Sequence, residues 1–529
     1  MTSYFTTSFV AVFLPVTFLA YLLVPRRARG PLLLFSSYAF LFILSKSTIA
    51  YLLASTVITY LTGMAMRSQL AARNERLKEK GNKRLLVKRS CAARMKVLLV
   101  LGLLANLAML VALRYLRFFG DIVASLLGLV GVHWAFDPPF LGAAIGISFY
   151  TLMALSYLID VYREKMPADT NPLRVALYLS FFPQIMEGPI SRYDQTARTL
   201  WEGRDVEWDE VYAGVTRITW GFAKKIIVAD RLDILVGKVF DNYQAYDGGI
   251  IAFAAVMYTL QLYCDFSGCM DVALGMGRLF GVALPENFRQ PFFSQTASEF
   301  WQRWHITLGL WLKDYIYYPI ALSKPFKRLT SKARKLFGRR YGPLLTSGCA
   351  LFVVWLVNGL WHGAGSQYLF FGMYYFVIIL VGGFVEPVAR DLAAQLGINR
   401  ESVSYRCMRV VRTLVIIFIG EMFFRANGMT AGLEMFTRLM TAFSLQGFKG
   451  ATLLSLGLDL ADYSIVSASL LMVTACDVLK ECGHNPLAWL VARREPLRWG
   501  IWLLLFLSVV VFGAYGIGYV PVDPMYAQF

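Results

Sequence analysis

A histidine, His362, stands inside the almost wholly apolar stretch VVWLVNGLWHGAGSQYLFFG at residues 353–372. A polar side chain at membrane depth costs about 3 kcal/mol, so it is expected to face the interior of a helix bundle. Imidazole is the side chain best suited to general-base catalysis near neutral pH. Asn358 precedes His362 by one helical turn and Trp361 precedes it directly, so we expect both to shape its surroundings. His362 is therefore the first candidate catalytic residue; a structural hydrogen bond to a neighbouring helix is the alternative.

A second histidine, His305, lies in the aromatic-rich segment 285–320. Pro285 and Pro291 prevent a regular helix at the start of this segment. The density of Trp and Tyr, together with the basic run that follows, indicates an interfacial or re-entrant segment near the cytoplasmic side. His305 has two interpretations at this point, a participant in chemistry or a structural hydrogen-bonding residue.

The same segment is predicted to become helical from Ser298, with Ser298 as the N-cap. Glu299 and Arg303 have the i, i+4 spacing of an ion pair. Four residues recur at i, i+3, i+4 and i+7 and are predicted to share one helical face: Trp301, Trp304, His305 and Leu308. Trp304 and Arg303 are therefore included among the residues that shape the site.

Charged residues also interrupt the apolar run 260–281, where Asp271, Gly275 and Arg278 recur at i, i+4 and i+7. The spacing places them on one helical face, which predicts that Asp271 and Arg278 belong to one buried polar network. The network has two interpretations, a packing device between helices or the wall of a substrate cavity.

Two further regions combine charge with apolar surroundings. In FFPQIMEGPISRYDQ (181–195), two prolines and a glycine predict a broken helix that is buried or lines a cavity, with Glu187 and Arg192 as internal partners. In GFAKKIIVAD (221–230), Lys224 and its neighbour add positive charge, which we place near the inner membrane surface. They are interpreted either as attracting a phosphate-rich donor such as coenzyme A or as an ordinary snorkelling pair.

The elements that must position these residues are predicted from composition. The chain of 529 residues is 57% hydrophobic and 16% charged, whereas soluble proteins have about 45–50% apolar and about 25% charged residues. The apolar runs predict an all-α polytopic membrane protein with about 11–13 membrane-embedded helices, some of them broken or re-entrant. We expect one membrane domain over 1–529, with N-terminal helices (1–140), a motif-bearing core (141–430) and C-terminal helices (431–529).

The formal charge of +18 is concentrated in four basic clusters, at 26–29, 67–96, 324–340 and 493–498. In so apolar a chain these clusters are typical of cytoplasmic loops rather than of a nucleic-acid interface, so we expect no nucleic-acid partner. This assignment places both termini outside and makes anionic lipid headgroups secondary partners. The seven cysteines show no CxxC spacing, and no metal site is expected.

Taken together, these motifs resemble the membrane-bound O-acyltransferase superfamily, and in particular its bacterial branch with the alginate O-acetylase and the D-alanyl transfer protein of teichoic acid. The long block LQLYCDFSGCMDVALGMGRLFGVALPENFRQPFFSQTASEFWQRWHITLGLWLKDYIYYP (260–319) is the most specific part of the resemblance. Shorter matching stretches lie at 141–163, 181–193, 221–230, NGLWHGAG (358–365), FFRA (423–426) and the tail YAQF.

The resemblance implies a ring of helices around a thin centre, with a funnel or tunnel that leads to a catalytic histidine matching His362. His305 matches the second signature histidine. The implied donor is a cytoplasmic thioester, either acetyl-CoA or an acyl carrier protein, with no tightly bound cofactor. The implied acceptor is an extracytoplasmic polysaccharide or a secreted or membrane-anchored acetyltransferase partner, which places the protein in the cytoplasmic (inner) membrane as a multi-pass enzyme.

Three alternatives remain open on the sequence. One is D-alanyl transfer from a carrier-protein thioester to teichoic acid. Another is a transporter, although the inverted repeat typical of many transporters is not evident. The third is a non-catalytic scaffold subunit of a polymer-export complex. Departures from the alginate-type pattern, such as YYPIALSK at 317–324 and the charge of Glu187, leave the acceptor polymer undetermined.

Overall fold

The computed structural model describes residues 3–46, 48–78, 84–132, 134, 136–137, 145–515, 519, 522 and 524. Within these ranges the chain is helical almost throughout and forms no strand, only one isolated β-bridge between Phe288 and Trp304. The predicted all-α class is confirmed. Residues 141–144 of the motif at 141–163, residues 79–83 of the basic cluster at 67–96, and the YAQF tail lie outside the described residues.

The chain folds into two compact units. The first comprises Met1–Val215 with Ala273–Pro285, and the second comprises Thr216–Val272 with Glu286–Phe529. The helices that begin in the first unit are α1 (Leu14–Leu23), α2 (Arg26–Leu44), α3 (Thr48–Lys78), α4 (Arg84–Leu110), α5 (Leu116–Leu129), α6 (Ile147–Tyr162), α7 (Pro172–Ser180), α8 (Phe182–Ile185), α9 (Tyr193–Glu202) and α10 (Trp208–Phe222).

The helices that begin in the second unit include the long α12, whose last turns belong to the first. They are α11 (Asp230–Asp241), α12 (Gly248–Leu279), α13 (Ala297–Arg303), α14 (Ile306–Leu312), α15 (Tyr318–Ala321), α16 (Lys324–His362), α17 (Ser366–Gln395), α18 (Val403–Arg425), α19 (Met429–Thr441), α20 (Gly450–Leu454), α21 (Leu460–Glu481), α22 (Pro486–Val491) and α23 (Glu495–Phe512). A π-helix, Ala223–Ala229, joins α10 to α11.

Among the described residues, eight helices are long and apolar enough to cross a membrane. They are Arg26–Leu44, Thr48–Lys78, Arg84–Leu129, Gly248–Leu279, Lys324–His362, Ser366–Gln395, Leu460–Glu481 and Glu495–Phe512. Phe9–Leu23 and Ile147–Tyr162 are shorter apolar helices. The predicted 11–13 also counted runs such as 174–192 and 212–235, which fold as shorter or charged helices.

The predicted break at 181–195 is confirmed within the first unit. The helix α7 ends at Ser180, α8 lasts one turn, and the chain then runs without helix until Tyr193. Every residue from 175 to 193 is buried. Irregular backbone at membrane depth requires such burial, because lipid cannot satisfy its peptide groups.

The second unit holds the long hairpin of α16 and α17. A left-handed residue, Gly338 (φ 76°), interrupts α16 after its basic first part, and the apolar remainder continues to His362. Gly359 allows close contact in this hairpin, because a Cβ there would lie 2.5 Å from the carbonyl oxygen of Tyr368. The close approach fixes the end of α16 against the start of α17 and so positions His362.

Candidate active site

The backbone around His305 turns sharply between two short helices. Thr296 caps α13 by accepting a hydrogen bond from the backbone N–H of Glu299 (3.1 Å). The helix ends at Arg303, Trp304 is extended, and His305 adopts a left-handed conformation with φ 46° and ψ 50°. The predicted cap at Ser298 is therefore wrong.

The predicted helical face of Trp301, Trp304, His305 and Leu308 is also wrong, because the helix does not continue through these positions. The segment after Pro285 instead forms hydrogen bonds with the backbone groups near the end of α13. The Arg289 N–H donates to the Arg303 carbonyl (2.9 Å), and the Ile306 N–H donates to the Asn287 carbonyl (3.0 Å). These hydrogen bonds between two segments of the chain take the place of the helical ones, and α13 ends before His305.

Asn287 is a polar partner of His305. Both side chains are buried, and the Asn287 amide nitrogen lies 3.1 Å from His305 Nδ1. The Asn287 Oδ1 accepts hydrogen bonds from the Thr307 N–H and hydroxyl, both at 2.9 Å. Asn287 therefore holds the imidazole and the first turn of α14 with one side chain.

The ring of His305 is enclosed by aromatic side chains. Phe266 meets it edge-on with centroids 4.8 Å apart, and Trp361 lies 5.4 Å away. His305 lies outside the candidate membrane spans. Burial lowers its pKa well below the usual range, and the nearby His362 lowers it further. The imidazole is thus neutral at physiological pH, since both effects disfavour the charged form.

His362 is the last residue of α16, and it is buried among rings from three helices. Phe424 lies 5.0 Å from it and Phe371 5.7 Å, both nearly perpendicular, and the neighbouring Trp361 lies 5.0 Å away. Because Trp361 also contacts His305, both histidines contact the same indole ring. The structure therefore brings together the two histidines that the sequence singled out separately.

The other predicted residues around His362 are placed as follows. Asn358 is buried one turn before His362, and among the described residues its Oδ1 has no hydrogen-bond partner. The expectation that it orients His362 stays a prediction. The space beside the Gly363 Cα is occupied by the Tyr368 ring, because a Cβ at residue 363 would lie 2.4 Å from it.

Arg303 and Trp304 belong to the same unit as the histidines and act on the segment that carries His305. Arg303 pairs with Glu299 (2.7 Å), as the spacing predicted, and also with Glu481 on α21 (2.7 Å). Trp304 is buried against Phe288, with centroids 5.0 Å apart. Both residues therefore secure α13 and its C-terminal turn next to His305.

Among the residues that the structure describes, Asp271 and Arg278 pair with different partners, so the prediction of one shared network is wrong. Asp271 pairs with Lys224 (2.7 Å) and Arg217 (2.8 Å) in the second unit. Arg278 belongs to the first unit, is about one-third exposed, and pairs with Glu210 at 3.6 Å. The two residues share a helix, but the cations supplied by α10 and the π-helix already neutralise Asp271.

Lys224 is buried rather than exposed at a membrane surface, so its interpretation as a snorkelling residue is wrong. Its ammonium group pairs with Asp271 and donates to Ser267 (2.7 Å). The adjacent Lys225 pairs with Asp265 (2.8 Å) on the same helix α12. The wider turn of the π-helix lets two consecutive lysines face one neighbouring helix. A role of Lys224 in donor binding stays a prediction.

Glu187 and Arg192 lie in the buried broken segment of the first unit. Arg192 is the N-cap of α9, where its backbone N–H donates to the Gln195 side chain (2.9 Å). Their predicted part in binding stays a prediction.

Sequence reasoning missed Asn287, Thr307 and Phe424 as neighbours of the histidines. Asn287 carried a weak signal, because it is a polar residue between the helix-breaking Pro285 and Pro291. Phe424 belongs to the FFRA motif but carries no chemistry of its own. These contacts arise from tertiary packing and have no periodic pattern.

Comparison with known proteins identifies this arrangement. The sequence model of the membrane-bound O-acyltransferase family, MBOAT, matches residues 34–337, more than half of the chain. The chain belongs to the membrane-bound O-acyltransferase family. His305 lies inside the matched range and His362 lies beyond it. Family membership makes the protein a multi-pass membrane O-acyltransferase.

Relatives with assigned names extend the match. A probable alginate O-acetylase of Pseudomonas syringae pv. tomato is 31% identical over 81% of this chain and 73% of its own length. The peptidoglycan O-acetyltransferase of Helicobacter pylori is 26% identical over 87% of this chain and 82% of its own. The teichoic acid D-alanyltransferase of Bacillus subtilis is 29% identical over 51% of this chain and 68% of its own.

Proposed function

We propose that the chain transfers an acetyl group from acetyl-CoA on the cytoplasmic side of the inner membrane to a hydroxyl group on the outer side. The acceptor is a cell-surface polysaccharide, reached directly or through a secreted or membrane-anchored transferase. The observation that carries this proposal is the meeting of His305 and His362 at Trp361, with all three side chains buried.

The chemistry requires a base, because a hydroxyl group is too weak a nucleophile to attack a thioester unaided. His362 takes the proton of the acceptor hydroxyl as its oxygen forms the new C–O bond. The carbonyl electron pair moves onto oxygen and returns as the C–S bond breaks. The departing thiolate takes the proton back from His362, so the products are the ester and free coenzyme A. His305 assists at the same centre.

A buried position suits a base that serves two compartments. The thioester is made inside and the polymer lies outside, so a base on either surface reaches only one of them. On this proposal, a base within the bundle serves both substrates, one from each side. A few polar groups in apolar surroundings also act more strongly than they do in water.

Acetyl transfer is favoured over D-alanyl transfer by the extent of the relatives' matches. The alginate O-acetylase match covers 81% of this chain, whereas the D-alanyltransferase match from Bacillus subtilis covers 51%. An acyl carrier protein remains the alternative donor. The H. pylori relative, an O-acetyltransferase by name, also matches most of this chain, which favours an acetyl group and supports acetyl-CoA as the proposed donor.

The test uses the full chain in lipid nanodiscs with radiolabelled acetyl-CoA and unacetylated alginate oligosaccharides. Label in the oligosaccharide, with equimolar release of free coenzyme A, supports the proposal. Transfer only from a D-alanyl carrier protein overturns the donor and acyl group. No ester formation with either donor overturns direct transfer to the oligosaccharide.

A further inference from the structure

The side-chain amide of Asn287 has a defined orientation. One end of it accepts from the Thr307 backbone N–H at 2.9 Å and from the Thr307 hydroxyl at 2.9 Å. A backbone N–H only donates, so the atom that it meets must be the amide oxygen. The orientation of this amide therefore follows from the chemistry of its neighbours.

The other end is consequently an NH₂ group, which has two hydrogens and accepts nothing. One hydrogen is directed at the Met270 sulfur (3.2 Å) and the other at His305 Nδ1 (3.1 Å). A donor at this distance requires a lone pair on Nδ1. The competing contact, between Nδ1 and Oδ1, is longer at 3.3 Å, and Thr307 already occupies both lone pairs of Oδ1.

We propose that Asn287 is a positioning residue that fixes His305 as the tautomer with its hydrogen on Nε2. On the proposed function, this makes His305 a hydrogen-bond donor and leaves the role of base to His362. Burial keeps the His305 ring neutral by lowering its pKa. A neutral ring that accepts at Nδ1 carries its hydrogen at Nε2.

The backbone supports the same assignment. His305 holds a left-handed conformation that costs a non-glycine residue about 1–3 kcal/mol and persists only where the surroundings enforce it. Asn287 helps to enforce it, since its carbonyl accepts from the Ile306 N–H at 3.0 Å. One residue therefore fixes both the turn that presents the imidazole and the hydrogen that the imidazole carries.

The transfer step then has distinct parts for the two histidines. His362 holds the acceptor's proton while the C–O bond forms. The His305 Nε2–H donates a hydrogen bond to the carbonyl oxygen as that oxygen gains the electron pair. It keeps its hydrogen when the C–S bond breaks, and the thiolate leaves with the proton from His362. A preorganised donor of this kind contributes about 10²–10³-fold to the rate.

Nitrogen-15 NMR of histidine-labelled protein in nanodiscs tests the tautomer without any substrate. The chain has four histidines, so a His305→Gln variant assigns the two His305 resonances by their loss. We expect a pyridine-like Nδ1 and a pyrrole-like Nε2. The reverse pattern, or a protonated ring at neutral pH, would overturn the proposal. This result does not depend on which acyl group or polymer the enzyme uses.

The Asn287→Asp variant reverses the hydrogen bond, because a carboxylate next to Nδ1 only accepts. We expect Nδ1 to become pyrrole-like and kcat to fall by about 10²-fold, the scale of one lost donor. The KM for acetyl-CoA should stay within about twofold of the native value. Asn242→Asp, on the exposed Asn242, is the matched control and should leave both constants unchanged.

A Thr307→Val variant covers the case in which Asn287→Asp does not fold. It removes one donor to Oδ1, opens that oxygen to Nδ1–H, and should produce a mixture of the two tautomers with a smaller loss of kcat. Unchanged tautomers in both variants would overturn the role of Asn287. A changed tautomer with no effect on kcat would overturn the donor role of His305. If the native protein shows the expected nitrogen-15 spectrum but transfers no acetyl group, the proposed function is rejected and the tautomer assignment stands.

Discussion

His305 and His362 both contact Trp361, but their local backbone and their other neighbours differ. His305 occupies a left-handed turn between two short helices, with Asn287 at its Nδ1. His362 terminates the 39-residue helix α16 and packs edge-on against Phe371 and Phe424. The position of His305 is fixed by the Asn287 amide and a strained turn. The position of His362 is fixed by the end of α16 and by perpendicular aromatic rings.

The difference fits two separate tasks. A hydrogen-bond donor must point its N–H in one direction throughout the reaction, so a fixed tautomer is an advantage. A base must take a proton and release it again, so both protonation states must be accommodated. We therefore expect the two histidines to respond differently to the same substitution.

The largest effect is expected for His362→Ala. Loss of the general base should lower the acetyl transfer rate by about 10²–10⁴-fold. Thermal stability should stay near that of the native protein, and radiolabelled transfer with thermal unfolding measures both. His484→Ala, at an exposed histidine, is the control and should keep full activity. A His362→Ala protein with more than about a tenth of the native rate would refute the catalytic role.

A smaller loss of activity, about 10²-fold, is expected for His305→Ala, because one donor is removed rather than the base. In contrast to His362→Ala, this variant should also lose stability, by about 1–3 kcal/mol, since it leaves the buried NH₂ of Asn287 without its acceptor. Chemical denaturation beside the transfer assay measures the two effects. Near-native transfer by a folded variant would contradict the prediction.

The smallest effect is expected for Phe424→Leu, which removes one edge-on ring from His362. An aromatic contact contributes about 0.5–1.5 kcal/mol, which corresponds to about 2–13-fold in rate if it is lost in the transition state. The His305 nitrogen resonances should not change, which separates the two environments. If those resonances move as well, the two histidines are not independently supported.

Sequence patterns predicted the helical class, the buried break at 181–195, the burial of both histidines and the Glu299–Arg303 ion pair. Each of these rests on local spacing or on the cost of polar groups in apolar runs. The turn at His305 was missed because the apolar period continues through it. Only the backbone hydrogen bonds that Asn287 accepts from Ile306 and Arg289 donates to Arg303 show where the helix ends.

The ion pairs of Asp271 and Arg278 were missed for a related reason. Helical spacing shows which residues share a face but not which cation a neighbouring helix supplies. The π-helix that brings Lys224 to Asp271 inserts an extra residue into its turn, and no periodic pattern announces it.

The buried lysine pairs have a consequence for how the protein is made. Lys224 is synthesised before its partner Asp271, and an unpaired lysine at the centre of an inserting helix costs about 2.5–3.5 kcal/mol. Lys225, in contrast, already has Asp230 (2.7 Å) within its own segment. We expect that the segment 208–241 does not insert on its own and that it enters the membrane together with α12 as a helical hairpin. In a glycosylation-mapping assay, nascent chains truncated at residue 245 should leave this segment uninserted, and chains extended through residue 279 should insert both.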